Sequence, residues 1–178
     1  MLEPRSIDQT IDRREAILER LFTIGQGLSG IAAALRNPNP VPTGAKSGIL
    51  SVPRPVFILF DGDTRLSQDV LPHKIAQMPA TIWRMDPQLV VLLEQRDDFE
   101  NTTLGADASP IGPEISAWST LINNVVTNDD QIIDLVTPNG THFLSGVQTS
   151  LKLGRDVGAF GAWLMMLYDF YYPLFPPR

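Results

Sequence analysis

The segment from Trp163 to Tyr172 constrains the fold more than any other part of the chain. It divides by alternation into two sets, Trp163, Met165, Leu167, Asp169 and Tyr171 against Leu164, Met166, Tyr168, Phe170 and Tyr172, and Asp169 is its single charge. Large apolar side chains on both sides of a period-2 run describe a long strand buried on both faces or covered by a neighbour. A chain with such a strand has to build a sheet around it. Val56 to Phe60 is a second continuous apolar run, closed by Asp61-Gly62-Asp63, and reads as a buried strand followed by a turn. Ile82 to Leu93 reads as a further strand region with Val90 to Leu93 at its centre, and Phe143 to Leu151 as another segment before the closing strand.

Helical periodicity appears twice. Over residues 6–24, Ile7, Ile11, Leu18, Leu21 and Phe22 recur at helical spacings, with Ser6 as the expected cap, Asp8 in the first turn, and Gly25, Gly27 and Gly30 as the expected end. Over Glu114 to Val126, an apolar stripe of Ile115, Trp118, Leu121, Ile122 and Val125 follows Pro113. Ile31 to Leu35 and Asp130 to Val136 are too short for periodicity to separate strand from helix. Four prolines between positions 38 and 53 exclude regular structure from a loop over about 37–55, expected to be mobile, and residues 96–113 read as a second long loop. The order of helix, strands, helix, strands predicts a single α+β domain over residues 1–178, a β-sheet with helices packed on it and long loops.

Composition bounds the chemistry. With 178 residues the chain is long enough for a self-sufficient core. It has no cysteine, which excludes disulfides, thiolate metal sites and a cysteine nucleophile. The two histidines, His73 and His142, stand far apart in polar, turn-like surroundings and are expected to be exposed. A net charge of −6 argues against a surface that coats nucleic acid. Three lysines stand against eleven arginines, and arginine favours the fixed bidentate contacts found at protein interfaces. No apolar stretch follows a basic start, and none approaches the length of a membrane span, so the expectation is synthesis and retention in a cytoplasm. Asn101-Thr102-Thr103 and Asn139-Gly140-Thr141 then match the glycosylation pattern by chance.

Few motifs carry chemistry. Gly25-Gln26-Gly27-Leu28-Ser29-Gly30 spells a dinucleotide-binding loop, but that loop needs a strand before it, a full helix after it and an acidic residue about 20 positions on. Here the preceding segment is helical, Pro38 and Pro40 stop any following helix, and the next strand-end acid, Asp61, lies too far along. Phe60-Asp61-Gly62-Asp63-Thr64 places two carboxylates at a strand end, where they can hold magnesium or supply an aspartyl nucleophile with an acid/base partner. That spelling is similar to the haloacid-dehalogenase-type phosphatases, although their threonine falls one position later, after a glycine. The plainer reading is a β-turn in which Asp-Gly supplies positive φ. No Gly-x-Ser-x-Gly elbow occurs, basic residues do not interleave with aromatics, and Trp83, Trp118 and Trp163 fall in apolar patterns as core or interface anchors.

The order of elements resembles the tail terminator (tail completion) and neck proteins of long-tailed bacteriophages. The resemblance rests on Ile17-Leu18-Glu19-Arg20-Leu21 in the opening helix, the Gly30-Ile31 step, the Arg36-Asn37 pair, the strand ending in Asp61-Gly62-Asp63, the helix before a short hydrophobic segment, and the closing strand. It implies a ring-forming virion subunit, usually in a hexamer, that caps the tail tube and joins it to the head connector after assembly in the host cytoplasm. A head-proximal neck or connector protein is the alternative within that class, and a metal-dependent phosphatase using Asp61 and Asp63 is the alternative outside it. The implied partners are further copies of the chain, the tail-tube protein and the connector. No catalytic residue, cofactor, metal or membrane is implied, nor any sequence-specific nucleic acid, although DNA passes through such rings. Arg36, Asn37, Asp61, Gly62 and Asp63 are the residues expected at subunit or tube contacts, and the loop over Asn39–Pro53 is expected to be disordered in the free subunit.

Overall fold

The computed structural model describes residues 12–38, 52–53, 55–67, 81–96, 111–152 and 160–174. The elements in chain order are α1 (Arg13–Gly27), β1 (Ala33–Arg36), β2 (Val56–Phe60), β3 (Thr64–Leu66), β4 (Thr81–Met85), β5 (Gln88–Arg96), α2 (Ile111–Thr127), α3 (Asp130–Leu135), β6 (Thr141–Lys152) and β7 (Phe160–Leu174). They form the expected α+β domain, a mixed seven-stranded sheet with helices packed on it.

The closing strand is the hub of that sheet. One edge of β7 pairs antiparallel with β6. The other edge carries β5 along its first half and β4 along its second. Beyond these, β2 lies antiparallel to β5, β1 lies parallel to β2, and β3 lies antiparallel to β4. The region expected as one strand from Ile82 to Leu93 is therefore two strands. Asp86-Pro87 interrupts the run, because proline has no N–H for the ladder. The break faces Asp61-Gly62-Asp63, which interrupts β2 and β3 in the same way. Residues 56–66 and 81–96 thus form one bent ribbon with a matched corner. At the corner the Asp63 N–H donates to Asp86 Oδ1 (2.6 Å) and the Asp86 N–H to the Asp63 carbonyl (3.2 Å). Gly62 is obligatory there: its φ is +68°, and a Cβ would stand 2.1 Å from the Asp86 carbonyl oxygen.

Strand alternation divides the apolar side chains between two faces. Phe57, Leu59, Leu89, Val91, Leu93, Leu164, Met166, Tyr168, Phe170 and Tyr172 point to the helices. There they pack with Ile17, Leu18, Leu21, Ile24, Ile122, Val126 and Ile132 in the main core. Val56, Ile58 and Val90 form a smaller buried cluster on the opposite face, with Leu35, Val52, Phe60, Leu92 and Met165 against it. Trp83 and Trp118 are half-buried against the main core, as anchors should be.

Helix boundaries depart from the sequence reading in ways that packing explains. Asp12 caps α1, its carboxylate accepting from the Glu15 N–H at 3.2 Å; the expected cap Ser6 lies outside the described residues. The helix does not stop at Gly25. It runs through to Gly27, because the missing Cβ lets Phe57 pack flat on the backbone: a Cβ on Gly25 would stand 2.1 Å from the Phe57 ring. The chain turns instead at Gly30, with φ +92°. Residues around Ile31–Leu35 resolve as β1, and α2 starts at Ile111, ahead of Pro113. Asp130 to Leu135 is helical because Asp129 caps it and pairs with Arg20 of α1. The loop expected over Asn39–Pro53 lies, apart from residues 52–53, outside the described residues, as does His73. Among the described residues no helix is long and apolar enough to cross a membrane.

Candidate functional site

The residues singled out in the sequence meet around the corner of the bent ribbon, in two groups. Arg36 is the last residue of β1, and β1 lies beside β2, so its guanidinium reaches the residue that follows β2. Its Nε donates to Asp61 Oδ1 (2.8 Å) and its Nη2 to Asp61 Oδ2 (2.9 Å). The same guanidinium also donates to both carboxylate oxygens of Glu15 in the first turn of α1 (2.5 and 2.9 Å). Asn37 adopts the left-handed conformation (φ 44°), which asparagine tolerates, and its Oδ1 accepts from the Asp61 N–H at 3.0 Å. The Arg-Asn pair and the Asp-Gly-Asp turn are thus the two halves of one latch. Arg36 holds the Asp61 side chain, and Asn37 holds its backbone.

Electrostatics follow from these contacts. The Arg36 guanidinium keeps the Asp61 carboxyl below its ordinary range, with Asn37 adding to the effect, and does the same to Glu15. Arg36 in turn is held protonated by hydrogen bonds to Glu15 and Asp61. Asp61 is therefore an ionised carboxylate with both oxygens committed to arginine. Each of its oxygens accepts one hydrogen bond from Arg36. Among the described residues no group of three metal-ligating side chains converges anywhere.

Gly62 and Asp63 face a different environment. They line a cavity of about 380 Å³ together with Arg84, Asp86, Gln88, Leu144, Leu167, Tyr168 and Asp169. Arg84 Nη2 pairs with Asp169 Oδ2 at 2.6 Å, and the Asp169 side chain is only 4% exposed. Asp169 Oδ1 and Arg84 Nε are buried without a hydrogen-bond partner among the described residues. Arg65 approaches Asp86 Oδ2 at 3.6 Å from a more exposed position. Of this group the sequence reading found only Gly62 and Asp63. The signal for the rest was present in Asp169, the one charge in an otherwise apolar closing strand, since a buried carboxylate demands a cationic partner.

A third polar contact is internal to the helical layer. Arg20 grips Asp129 through Nε (3.1 and 3.0 Å) and Nη2 (2.7 Å), which lowers the Asp129 carboxyl's pKa. Asp129 also caps α3 through the Ile132 N–H (3.0 Å), so this pair joins helix to helix. His142 is exposed, with Nε2 2.8 Å from the Asn139 carbonyl oxygen. Compared with known proteins, the sequence matches no family model and no curated protein.

Proposed function

We propose that this chain is a structural subunit of a virion, one that assembles head-to-tail into a ring, caps a phage tail tube and joins it to the head connector. The observation that carries this reading is the character of the two sheet edges. On one edge β3 exposes Leu66 (52% accessible); on the other, β6 exposes Phe143 (41%) and Leu144 (51%). A heterologous ring needs two unlike adhesive surfaces on each subunit, and exposed apolar side chains on opposite edges of one sheet supply them. The resemblance in element order to tail terminators adds the identity of the ring. The latch of Arg36, Asn37 and Asp61 has a part in this reading as the support of the corner between β2 and β3, which sets where Leu66 is presented.

Native mass spectrometry across a wide concentration range, with negative-stain images of the same sample and of the sample mixed with tail tubes, tests the reading. A closed ring of about six copies, alone or on the tube end, is the expected result. A chain that stays monomeric at every concentration and leaves tube ends bare refutes it.

A further inference from the structure

The turn that leads into β6 is built from Thr137, Pro138, Asn139 and Gly140. The Gly140 N–H donates to the Thr137 carbonyl at 2.7 Å, and Asn139 has a φ of 56°. Proline in the second place and a positive φ in the third make this a type II turn. The fourth place requires glycine: a Cβ there would stand 2.6 Å from Thr137 Oγ1 and 2.7 Å from the carbonyl oxygens of Thr137 and Tyr171. The third suits asparagine, which tolerates left-handed backbone. The turn thus selects Asn-Gly, the dipeptide most open to attack on the side-chain amide by the next backbone nitrogen, because glycine puts no side chain in the way. No other asparagine in the sequence is followed by glycine. We infer that Asn139 is a self-modifying site, losing its side-chain amide in chains where β7 is undocked and keeping it where β7 clasps the turn.

The chemistry needs only water. The Gly140 nitrogen bonds to Asn139 Cγ and gives up its proton, the Cγ–Nδ2 bond breaks, and ammonia leaves with that proton. Water then opens the resulting succinimide at either of its two carbonyls, giving aspartate or isoaspartate. In the folded chain the first step is blocked. The Thr137 carbonyl holds the proton that must leave, and a hydrogen bond to the neutral form opposes its loss. Gly140 is buried, its carbonyl accepts from the Tyr171 N–H at 2.8 Å, and the Thr137 N–H donates to the Tyr171 carbonyl at 2.8 Å, so β7 clasps both ends of the turn. His142 closes over it, with Nε2 2.8 Å from the Asn139 carbonyl oxygen and its ring 5.1 Å from that of Tyr171. An isoaspartate cannot be clasped again. Its backbone runs through the former side chain and is one carbon longer, and Gly140 has no room to shift between Thr137 and Tyr171. The site therefore marks chains by the time they spend without a docked β7.

The test holds the full chain in native buffer and in concentrated guanidinium chloride at one mildly alkaline pH. Peptide mapping by mass spectrometry follows the amide, and labelling by isoaspartyl methyltransferase follows the isoaspartate. In denaturant Asn139 should lose its amide ahead of Asn123, Asn124 and Asn128. In native buffer its loss should be at least about tenfold slower, since attack proceeds only from the open fraction of the turn. The aged, denatured sample is then diluted to refold, and its monodisperse, protease-resistant fraction is mapped. Isoaspartate should be depleted from that fraction relative to the aspartate product of the same sample, which carries the same new charge on an unaltered backbone. The inference is overturned if Asn139 loses its amide equally fast in both solvents, if it shows no preference over the other asparagines in denaturant, or if isoaspartate chains refold as fully as their aspartate counterparts.

Discussion

Replacing Arg36 with methionine keeps the aliphatic stem and removes the guanidinium from between two carboxylates. Four charge-assisted hydrogen bonds are lost, two to Asp61 and two to Glu15. Removing one partner of a buried pair costs about 3–5 kcal/mol. Here the Asp61 side chain is 19% exposed and that of Glu15 is 40% exposed, so solvent screens part of the loss and about 2–4 kcal/mol is expected. The sign of the pH dependence follows from the lowered carboxyl pKa values. Their contribution to stability is fully present above the unfolded values, near pH 4, and is lost as pH falls through the lower folded values. The gap between wild type and Arg36→Met should therefore be widest at pH 7 and should narrow towards pH 2. Urea unfolding followed by circular dichroism at both pH values measures it, and a double-mutant cycle with Asp61→Asn should give a coupling of about 1–2 kcal/mol. A loss under about 1 kcal/mol at pH 7, or a gap that does not change with acid, would refute the assignment of Arg36 as the latch.

Gly25→Ala should destabilise by about 1–3 kcal/mol in the same assay, against the helix propensity that favours alanine, because the added Cβ collides with Phe57. Asp129→Ala removes both the α3 cap and the grip of Arg20 and should cost about 2–3 kcal/mol by urea unfolding, whereas Asp130→Ala, one residue along, should cost much less. Burial raises the Tyr168 phenol above its ordinary value, so its contribution to stability is present below about pH 10 and is lost as pH rises towards the higher folded value. In a spectrophotometric titration the Tyr168→Phe variant should lack the last native tyrosine to ionise.

The sequence showed those parts of the fold whose signals are local. Val56 to Phe60 was readable because an apolar run meets Asp-Gly, and β7 because its alternation persists through ten residues with one charge. The split between β4 and β5 was hidden, since apolar residues continue on both sides of Asp86-Pro87 and the bend makes sense only opposite Gly62. Likewise Gly25 reads as a stop signal until Phe57, more than thirty residues away, is seen to occupy the space above it. At the candidate site, Arg36, Asn37, Asp61, Gly62 and Asp63 were all picked out, but as a surface for partners. The pairing of Arg36 and Asn37 with Asp61 depends on β1 lying parallel to β2, which no local pattern announces. Arg84 was missed because its partner Asp169 lies across a sheet register set by β7, and Asp86 because its partners Asp63 and Arg65 lie across the corner of the ribbon.

The position of β7 in the chain has a consequence for biogenesis. The strand that joins β4, β5 and β6 leaves the ribosome after all three of them. Until it emerges, β4 and β5 present open backbone on the side it will occupy, β6 has no neighbour among the described strands, and the core lacks Tyr168 and Phe170. Long-range strand pairing of this kind folds late and leaves sticky edges exposed meanwhile. Translation that halts before residue 160 thus yields a chain in which β4, β5 and β6 lack their common neighbour.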